Sequence, residues 1–427
     1  MNFKPAALVA STSLVLGLAG CGHIAPAAGV GATSQNMVAA AKAHRAAQKG
    51  GSWTILIHMA AENNLYNFGL EDINEMEAGI PTDGSVKVFV LFDGVKEGDS
   101  CIYNIKHDAG MNTNIISEKL LPTDVIPSNH EIDSGSADQM IKFVQWAAKN
   151  APADHTMAAV WDHGSGLFNG NPNPITKGFG WDDGSGNNMH TSDLTKIGGA
   201  FKAAAGKSMD AFGFDCCLMS HSEIAYQMAG NVDYLVASEE LEPGKGWDYA
   251  GWLKAVGTGD HTPVAVTSAL VDSYAASYQP GGSQSSGRDS ATLAATDINA
   301  LVANVVPALN EFVAAASSDL AGNKAAINAA RAKTQVFYNR DCADLGNFLT
   351  NLKPAVSKNA ALSASISKLQ SAYASAIVRE GHTKNFPGAT GNVIYFPTGG
   401  AVNSAYTDAS KIAFAKESWK DLLKALK

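Results

Sequence analysis

Two short segments place reactive side chains directly after apolar runs that are typical of buried strands. In the first, residues 160–166 read VWDHGSG, so His163 leaves an apolar run and enters a glycine-rich loop. Gly164 lets the backbone approach a ligand closely, and its amide is a candidate donor to an oxyanion. Taken alone, the pattern also fits a histidine whose hydrogen bonds are satisfied in a tight turn.

The second segment contains two adjacent thiols. Residues 212–219 read FGFDCCLM, and the pattern that follows predicts a helix directly after Cys217. A thiol at a helix N-terminus has its thiolate stabilised by the helix dipole, and the thiolate is the competent nucleophile. Two other interpretations stay open at this point: Cys216 and Cys217 form a vicinal disulfide, or they are small buried side chains.

The two segments together indicate more than either does alone. Both lie at the carboxyl ends of consecutive predicted strands, the edge at which α/β sheets bind ligands, so His163 and Cys217 are expected side by side. A cysteine and a histidine so placed are the minimum for acyl transfer. Metal-dependent hydrolysis by Asp162 and His163 is an alternative, but no HExxH or similar helical motif supports it.

Strand and helix patterns alternate along the chain. Short apolar runs bounded by polar residues indicate strands buried on both faces. These runs lie at residues 53–60, 86–92, 157–161, 210–214, 234–237 and 391–397. Helical patterns lie at 65–78, 136–150, 192–205, 219–229, 300–317, 324–334, 344–352 and 363–378. The alternation predicts a doubly wound α/β sheet, with a helical C-terminal part packed on it.

The N-terminus has the pattern of an export signal. Lys4 precedes an uncharged apolar run at 6–20, which is shorter than the roughly 20 residues that span a bilayer. The run ends LAGC, which resembles the lipobox of bacterial lipoproteins with Cys21 as the acylated thiol. The alternative is an ordinary signal peptide in which Cys21 is incidental.

This pattern divides the chain into three parts. We expect a signal peptide at 1–20, an Ala/Gly-rich tether at 21–50 and one folded domain at 51–427. Several acyl chains anchor a protein stably, so the lipobox predicts an extracytoplasmic lipoprotein on a membrane of the bacterial cell envelope.

Composition excludes some classes of partner. The chain has 427 residues, 46% of them hydrophobic, and a formal net charge of −9. The absence of basic clusters argues against nucleic-acid binding. Besides Cys21, the cysteines are Cys101, Cys216, Cys217 and Cys342, without a CxxC pair, so a thiolate zinc site is not expected. The even number of cysteines besides Cys21 is the one argument for a Cys101–Cys342 disulfide bridge.

Four stretches resemble the clostripain family of cysteine peptidases, which is related in fold to caspases, gingipains and legumains. They are WTILIHMAAENNL at 53–65, WDHGSG at 161–166, GFDCCLMSHSEIAYQMAG at 213–230 and ASEELEPGKGWDY at 237–249. The resemblance implies a caspase-like α/β/α sandwich with a mostly parallel central sheet. It implies an endopeptidase in which His163 is the catalytic histidine and Cys217 the nucleophile, with no required cofactor. The amides of Gly164 and Cys217 then form the oxyanion hole, and Asp162 either orients His163 or is a turn carboxylate.

The resemblance also implies a substrate class. The family cleaves protein and peptide substrates after Arg or Lys, and Asp215 matches its proposed pocket acid. The alternative is that Asp215 caps the following helix through backbone amides. The carboxylates at 239–248 either shape this pocket, hold calcium or form a solvated acidic loop.

Relatives in the family often mature by cutting themselves between the histidine and the cysteine. Lys177 is the only basic residue at 167–182, so Lys177-Gly178 is the candidate cut, unless Lys177 is a solvated loop residue. Two further functions stay open: a catalytically silent lipoprotein used for binding, and a ligase or transpeptidase, which shares the first step of peptide hydrolysis.

Overall fold

The computed structural model describes residues 50–112, 114–167, 178–287 and 289–427. The strands are β1 (Trp53–Ala60), β2 (Val86–Asp93), β3 (Cys101–Asn104), β4 (Glu118–Leu120), β5 (His155–Trp161), β6 (Phe179–Asp182), β7 (Asn187–Met189), β8 (Met209–Asp215), β9 (Val232–Ala237), β10 (Thr292–Asp297), β11 (Cys342–Asp344), β12 (Ile377–His382) and β13 (Val393–Tyr395). The helices are α1 (Tyr66–Gly79), α2 (Ala137–Asn150), α3 (Leu194–Ala205), α4 (Ser222–Gln227), α5 (Tyr249–Thr258), α6 (Pro263–Ser277), α7 (Ile298–Ser318, with a π-helical turn), α8 (Leu320–Lys333), α9 (Leu345–Leu352), α10 (Ala360–Ala376) and α11 (Trp419–Ala425).

Within these residues the main sheet has nine strands in the order β12-β10-β9-β8-β5-β1-β2-β3-β4. The central strands β9, β8, β5, β1 and β2 are parallel, and the outer strands on both sides are antiparallel. The carboxyl ends of β1, β5 and β8 therefore meet at one edge of the sheet, where ligands bind in folds of this kind.

Each face of the sheet is covered by helices. Alternate residues of β1 enter two separate apolar cores, Ile55 and Ile57 on one face and Leu56 on the other. The first core receives helices α1, α5 and α6, and the second receives α2, α3 and the C-terminal helices. The predicted α/β/α sandwich with a mostly parallel sheet and a helical C-terminal part is confirmed.

The central elements match the sequence predictions, whereas the sheet edges do not. Every residue of β1 is buried, as its continuous apolar run predicts. The antiparallel strands β3, β4, β10 and β12 were not expected. Strands β3 and β4 are short and β12 is only partly buried, whereas β10 (TLAATD) is buried but has a single large apolar residue. The late strand is shorter than predicted, and β13 pairs with β11 outside the main sheet.

Helix α7 is the one helix of the described residues that is long and apolar enough to cross a membrane. Core helices of soluble proteins have the same length and composition, and Ile298, Leu309 and Phe312 of α7 are at most 1% exposed within the domain. The predicted segments 1–20 and 21–49, and the proposed lipidation site Cys21 within them, lie outside the described residues.

Candidate active site

The two reactive segments follow neighbouring strands of the sheet and begin at the same position in the strand register. Strands β5 and β8 are adjacent and parallel, with Trp161 paired to Asp215. The amide of Asp162 continues the ladder by donating to the Asp215 carbonyl at 3.2 Å. His163 and Cys217 each stand two residues beyond the same register pair. The predicted juxtaposition of these strand ends is therefore present.

Gly164 brings the two segments into backbone contact. A Cβ atom at this position would lie 2.3 Å from the Cys217 carbonyl oxygen, 2.9 Å from the Cys216 Cβ and 3.1 Å from the Cys217 nitrogen. Any larger residue would clash with backbone, so glycine is required here. Within the described part of the chain, the amides of Gly164 and Cys217 donate to no other residue. Both amides are thus available at one point above the sheet.

The two adjacent thiols differ in their access to solvent. Cys216 is 1% exposed, and its thiol donates to the Val160 carbonyl at 3.4 Å. Cys217 is partly exposed. Both are free, as are Cys101 and Cys342, so the vicinal disulfide and the Cys101–Cys342 bridge are wrong. Burial raises the pKa of the Cys216 thiol well above its usual range. Cys217 is therefore the thiol that a substrate can reach.

The helix expected directly after Cys217 is absent, and that prediction is wrong. Helix α4 begins at Ser222, and Leu218 adopts a left-handed backbone conformation with a φ of 66°. The turn continues the sheet instead, because the Leu218 amide donates to the Glu240 carbonyl at 3.1 Å. The dipole of α4 therefore does not begin at the Cys217 thiol.

The surroundings of Cys217 favour the neutral thiol. Burial raises its pKa, and the nearby carboxylate of Asp215 adds to this shift. The Glu242 amide, which donates to the Cys217 sulfur at 3.3 Å, acts in the opposite direction. The pKa of the sulfur stays above its ordinary value, so Cys217 is protonated at neutral pH in the resting protein.

An amide side chain that sequence reasoning missed holds the imidazole of His163. Its Nε2 lies 2.9 Å from Oδ1 of Asn64, which follows β1, the strand beside β5. Burial lowers the pKa of His163, while the negative charge of Asp183 opposes this shift. Because a carboxamide oxygen only accepts, Nε2 bears the ring proton and Nδ1 keeps its lone pair. Asn64 lies within the stretch 53–65 that resembles the family, which was the available signal.

Asp162 does not contact the ring of His163. Its carboxylate accepts a hydrogen bond from Nδ2 of Asn63 at 2.8 Å and further bonds from the backbone amides of Trp181 and His163. The interpretation that Asp162 orients the imidazole is wrong. The carboxylate instead ties together the loops after β1 and β5 and strand β6, so it fixes the backbone from which His163 projects.

Asp215 is a buried carboxyl group that lies beside a second one, Glu242. It is 5% exposed and accepts hydrogen bonds from the Tyr249 hydroxyl at 2.8 Å and the Trp247 amide at 3.3 Å. The alternative that it caps the next helix is wrong, since α4 begins seven residues later at Ser222. Burial raises the pKa of Asp215 to about 6, although hydrogen bonds from Glu242 and Tyr249 oppose the shift.

Glu242 is the second carboxyl group at this position, and it is one of the carboxylates at 239–248 for which the sequence left open a role in shaping the substrate pocket. Its side chain contacts that of Asp215, and burial followed by the charge of Asp215 raises the pKa of Glu242 well above its usual range. The two carboxyl groups therefore titrate as a coupled pair, in which burial and the charge of Asp215 favour the protonated form of Glu242.

The other carboxylates of the 239–248 stretch have separate partners. Glu239 and Glu240 are 2% and 8% exposed, so the interpretation of a solvated acidic loop is wrong for them. Asp248 caps α5 by accepting from the Gly251 amide at 3.0 Å. Among the described residues, the carboxylates that converge on a single ion-sized space lie elsewhere, at Glu62, Asp93 and Asp182.

The candidate cut at Lys177-Gly178 is described on one side only. Lys177 lies outside the described residues. Gly178 accepts hydrogen bonds at its carbonyl oxygen from the amide of Ser165 at 3.2 Å and from its hydroxyl at 3.1 Å. Phe179 forms an isolated bridge with Gly164. The chain on the C-terminal side of Lys177 thus runs directly beside the His163 loop.

Known proteins share this fold and part of this sequence. The chain is 28% identical over 214 residues to clostripain from Hathewaya histolytica, a match that covers 46% of this chain and 40% of that protein. The chain therefore spans less than half the length of this curated relative. A secreted C11 cysteine protease from Bacteroides thetaiotaomicron, solved with an irreversible peptide inhibitor, superposes with a TM-score of 0.62. It is 20% identical, over 88% of this chain and 99% of that one.

An inactive zymogen of a C11 protease from Parabacteroides distasonis has the same fold. The TM-score is 0.57 at 18% identity, over 81% of this chain and 92% of that one. The sequence model of the clostripain family matches residues 57–425, which include both strand ends of the site. The chain belongs to the clostripain family of cysteine peptidases.

Proposed function

We propose that the protein is a cysteine endopeptidase that cleaves after Arg or Lys, with Cys217 as nucleophile and His163 as general acid and base. One observation is its main support: the loop after β5 contacts the turn after β8 through Gly164, beside the solvent-accessible thiol. A thiol, a histidine and two free amides at one edge of the sheet support this assignment.

The chemistry follows from the protonation states of the resting site. The Cys217 sulfur attacks the scissile carbonyl carbon, and its proton passes to Nδ1 of His163. The amides of Gly164 and Cys217 donate to the oxyanion. As the C–N bond breaks, the imidazolium returns its proton to the leaving amine, which leaves a thioester. His163 then takes a proton from water, which attacks the thioester and releases the carboxylic acid and the Cys217 thiol.

The buried carboxyl groups of Asp215 and Glu242 support specificity for a cationic substrate side chain. Apart from their contact with Asp215, both carboxyl oxygens of Glu242 lack a hydrogen-bond partner within the described residues, as does the hydroxyl of Tyr274. A guanidinium offers five N–H donors and a positive charge, which would satisfy these buried acceptors and offset the negative charge of the carboxyl pair. An ammonium group supplies fewer donors but the same charge.

Self-processing at Lys177-Gly178 fits the same specificity. The bond precedes Gly178, which is hydrogen-bonded to Ser165 beside the His163 loop. N-terminal sequencing of the purified chain tests it: a new terminus at Gly178 is expected, and it should be absent from Lys177→Ala and Cys217→Ala. An active chain that stays uncut contradicts self-processing but not peptidase activity.

The N-terminal pattern supports an extracytoplasmic lipoprotein anchored through Cys21. Expression in a bacterial host followed by membrane fractionation tests the anchor. The wild-type chain should sediment with membranes and the Cys21→Ser chain should not. Equal partition of both chains would show that Cys21 is not the anchor.

A peptidase assay tests the proposed activity. Fluorogenic arginyl, lysyl and aspartyl peptides are offered to the wild type, to Cys217→Ala and to the matched control Cys216→Ala. We expect cleavage of the arginyl and lysyl peptides by the wild type and Cys216→Ala, and none by Cys217→Ala. A wild type without thiol-dependent cleavage of any peptide would favour a binding protein instead.

A further inference from the structure

Two exposed apolar side chains lie close to the approach to Cys217. Within the described part of the chain most large apolar residues are buried, whereas Leu241 is 37% exposed and Tyr338 is 67% exposed. Leu241 directly precedes Glu242, whose amide donates to the Cys217 sulfur at 3.3 Å. The peptide bond between Leu241 and Glu242 therefore lies against the nucleophile. Single exposed apolar residues are ordinary, but a group of them beside a reactive thiol indicates a binding surface.

The carboxylate of Glu240 brings these two residues together. Its Oε1 accepts from the Leu241 amide at 2.8 Å, and its Oε2 accepts from the Tyr338 amide at 2.9 Å. Glu240 and Tyr338 are 98 positions apart in the chain, so this one carboxylate makes neighbours of two distant segments. Glu240 is buried, which shields both hydrogen bonds from water. Leu241 and Tyr338 thus form one apolar surface on a shared support.

Both segments are fixed before a substrate arrives. The Glu240 amide donates to the Thr292 hydroxyl of β10 at 3.1 Å, which holds the first segment to the sheet. Directly before Tyr338, the ring of Phe337 packs on the ring of Phe386, with 5.3 Å between their centroids. A surface that is ordered in the free protein loses less conformational entropy when a ligand binds. This apolar surface is therefore preorganised for a ligand.

The order of the strands decides which part of a substrate reaches this surface. His163 follows β5, Cys217 follows β8 and Leu241 follows β9, and these strands are consecutive neighbours in the sheet. Because His163 protonates the leaving amine, the part of the substrate after the cut bond lies on the β5 side. The acyl part, which ends in the Arg or Lys, then extends from Cys217 towards β9 and Leu241.

The alternation of side chains selects the substrate residue that is concerned. The carboxyl group of Glu242 is buried against that of Asp215, where the Arg or Lys of the substrate binds, while the adjacent Leu241 is exposed. Successive side chains of an extended peptide point in opposite directions. The side chain that precedes the Arg or Lys therefore points away from Asp215, to the side on which Leu241 is exposed.

We propose that Leu241 and Tyr338 form a subsite for an apolar side chain in the residue that precedes the cleaved Arg or Lys. This inference rests on the proposed peptidase function and adds a second determinant to its substrate class. An aliphatic or aromatic side chain would cover the exposed faces of Leu241 and Tyr338 and remove apolar surface from water. A charged side chain gains nothing from this surface, because a charge placed against apolar groups loses its hydration.

Fluorogenic tripeptides that end in arginine and differ only in the preceding residue, which is Leu, Ala or Asp, test the subsite. They are offered to the wild type, to Leu241→Ala, to Tyr338→Ala and to the matched control Leu121→Ala. Leu121 is 45% exposed and follows β4, at the opposite edge of the sheet. The readout is the ratio of kcat/KM for the leucyl peptide to kcat/KM for the alanyl peptide. A purely structural loss lowers both values equally and leaves this ratio unchanged.

We expect the wild type to prefer Leu to Ala by about tenfold, the order of discrimination that apolar contacts provide, and to cleave the aspartyl peptide least. Leu241→Ala and Tyr338→Ala should each lower the Leu/Ala ratio by about threefold or more, while Leu121→Ala should keep the wild-type ratio. A wild type that cleaves the arginyl peptides without preferring Leu overturns the subsite and leaves the peptidase function standing, as does an unchanged ratio in both subsite variants. Cleavage of no arginyl peptide overturns both.

Discussion

Replacing Gly164 by alanine should disable the oxyanion hole while leaving the thiol in place. The new Cβ would stand 2.3 Å from the Cys217 carbonyl oxygen, roughly 1 Å short of an ordinary non-bonded contact. One of the two loops must move by about that amount, and a displacement of about 1 Å typically costs about 100-fold in rate. Loss of one oxyanion donor costs about 3–4 kcal/mol, or roughly 10²–10³-fold. We therefore expect kcat/KM on an arginyl peptide to fall by about 10²–10³-fold.

The assay compares Gly164→Ala with the matched control Gly399→Ala, where an added Cβ meets no atom within 4 Å. Circular dichroism and melting temperature establish that both variants fold. Iodoacetamide labelling of Cys217 should proceed at the wild-type rate in both, because the thiol itself is untouched. A folded Gly164→Ala variant whose kcat/KM stays within threefold of the wild type would refute the close contact and the role of these amides.

Three further predictions concern specificity and protonation. Asp215→Asn should lower kcat/KM for arginyl peptides by about 10- to 10²-fold, since a charge-assisted bond worth about 1.5–3 kcal/mol is lost. An unchanged preference for Arg over norleucine would contradict a role of Asp215 in binding the arginyl side chain. Because the pKa of Asp215 is about 6, KM for a cationic peptide should fall as pH rises through 6, and Asp215→Asn should flatten this dependence. Asn64→Asp should raise the pKa of His163, because a carboxylate beside Nε2 stabilises the imidazolium. The acid limb of the kcat/KM profile then shifts to higher pH. If Asn64 has a purely structural role, no such shift is expected.

The centre of the sheet is predictable because its strands have a simple physical requirement. Strands buried on both faces need mostly apolar residues, and β1 has them at every position except Thr54 and His58. The edge strand β12 is only partly buried along its length and includes Arg379, Glu380 and His382, so its pattern is not distinct from that of a loop. Strand β12 also pairs with β10, which lies far away along the chain, and local patterns do not record such a partner.

The site was predictable where it follows strand ends and unpredictable where it depends on tertiary contacts. His163 and Cys217 were located by the strands that precede them. The turn after Cys217 has a helical sequence pattern, but Leu218 pairs with Glu240 beyond β9, and this contact displaces the helix start to Ser222. Asn64 reaches the site from nearly one hundred residues away, so no spacing within the motifs reveals it.

Mapping a covalent adduct tests the central assignment most directly. The folded wild-type chain is treated with an arginyl chloromethyl ketone at neutral pH, and the modified peptide is identified by mass spectrometry. The account predicts one adduct per chain on Cys217, none on buried Cys216, Cys101 or Cys342, and parallel loss of peptidase activity. An adduct on Cys216, or full modification of Cys217 with cleavage intact, would contradict it.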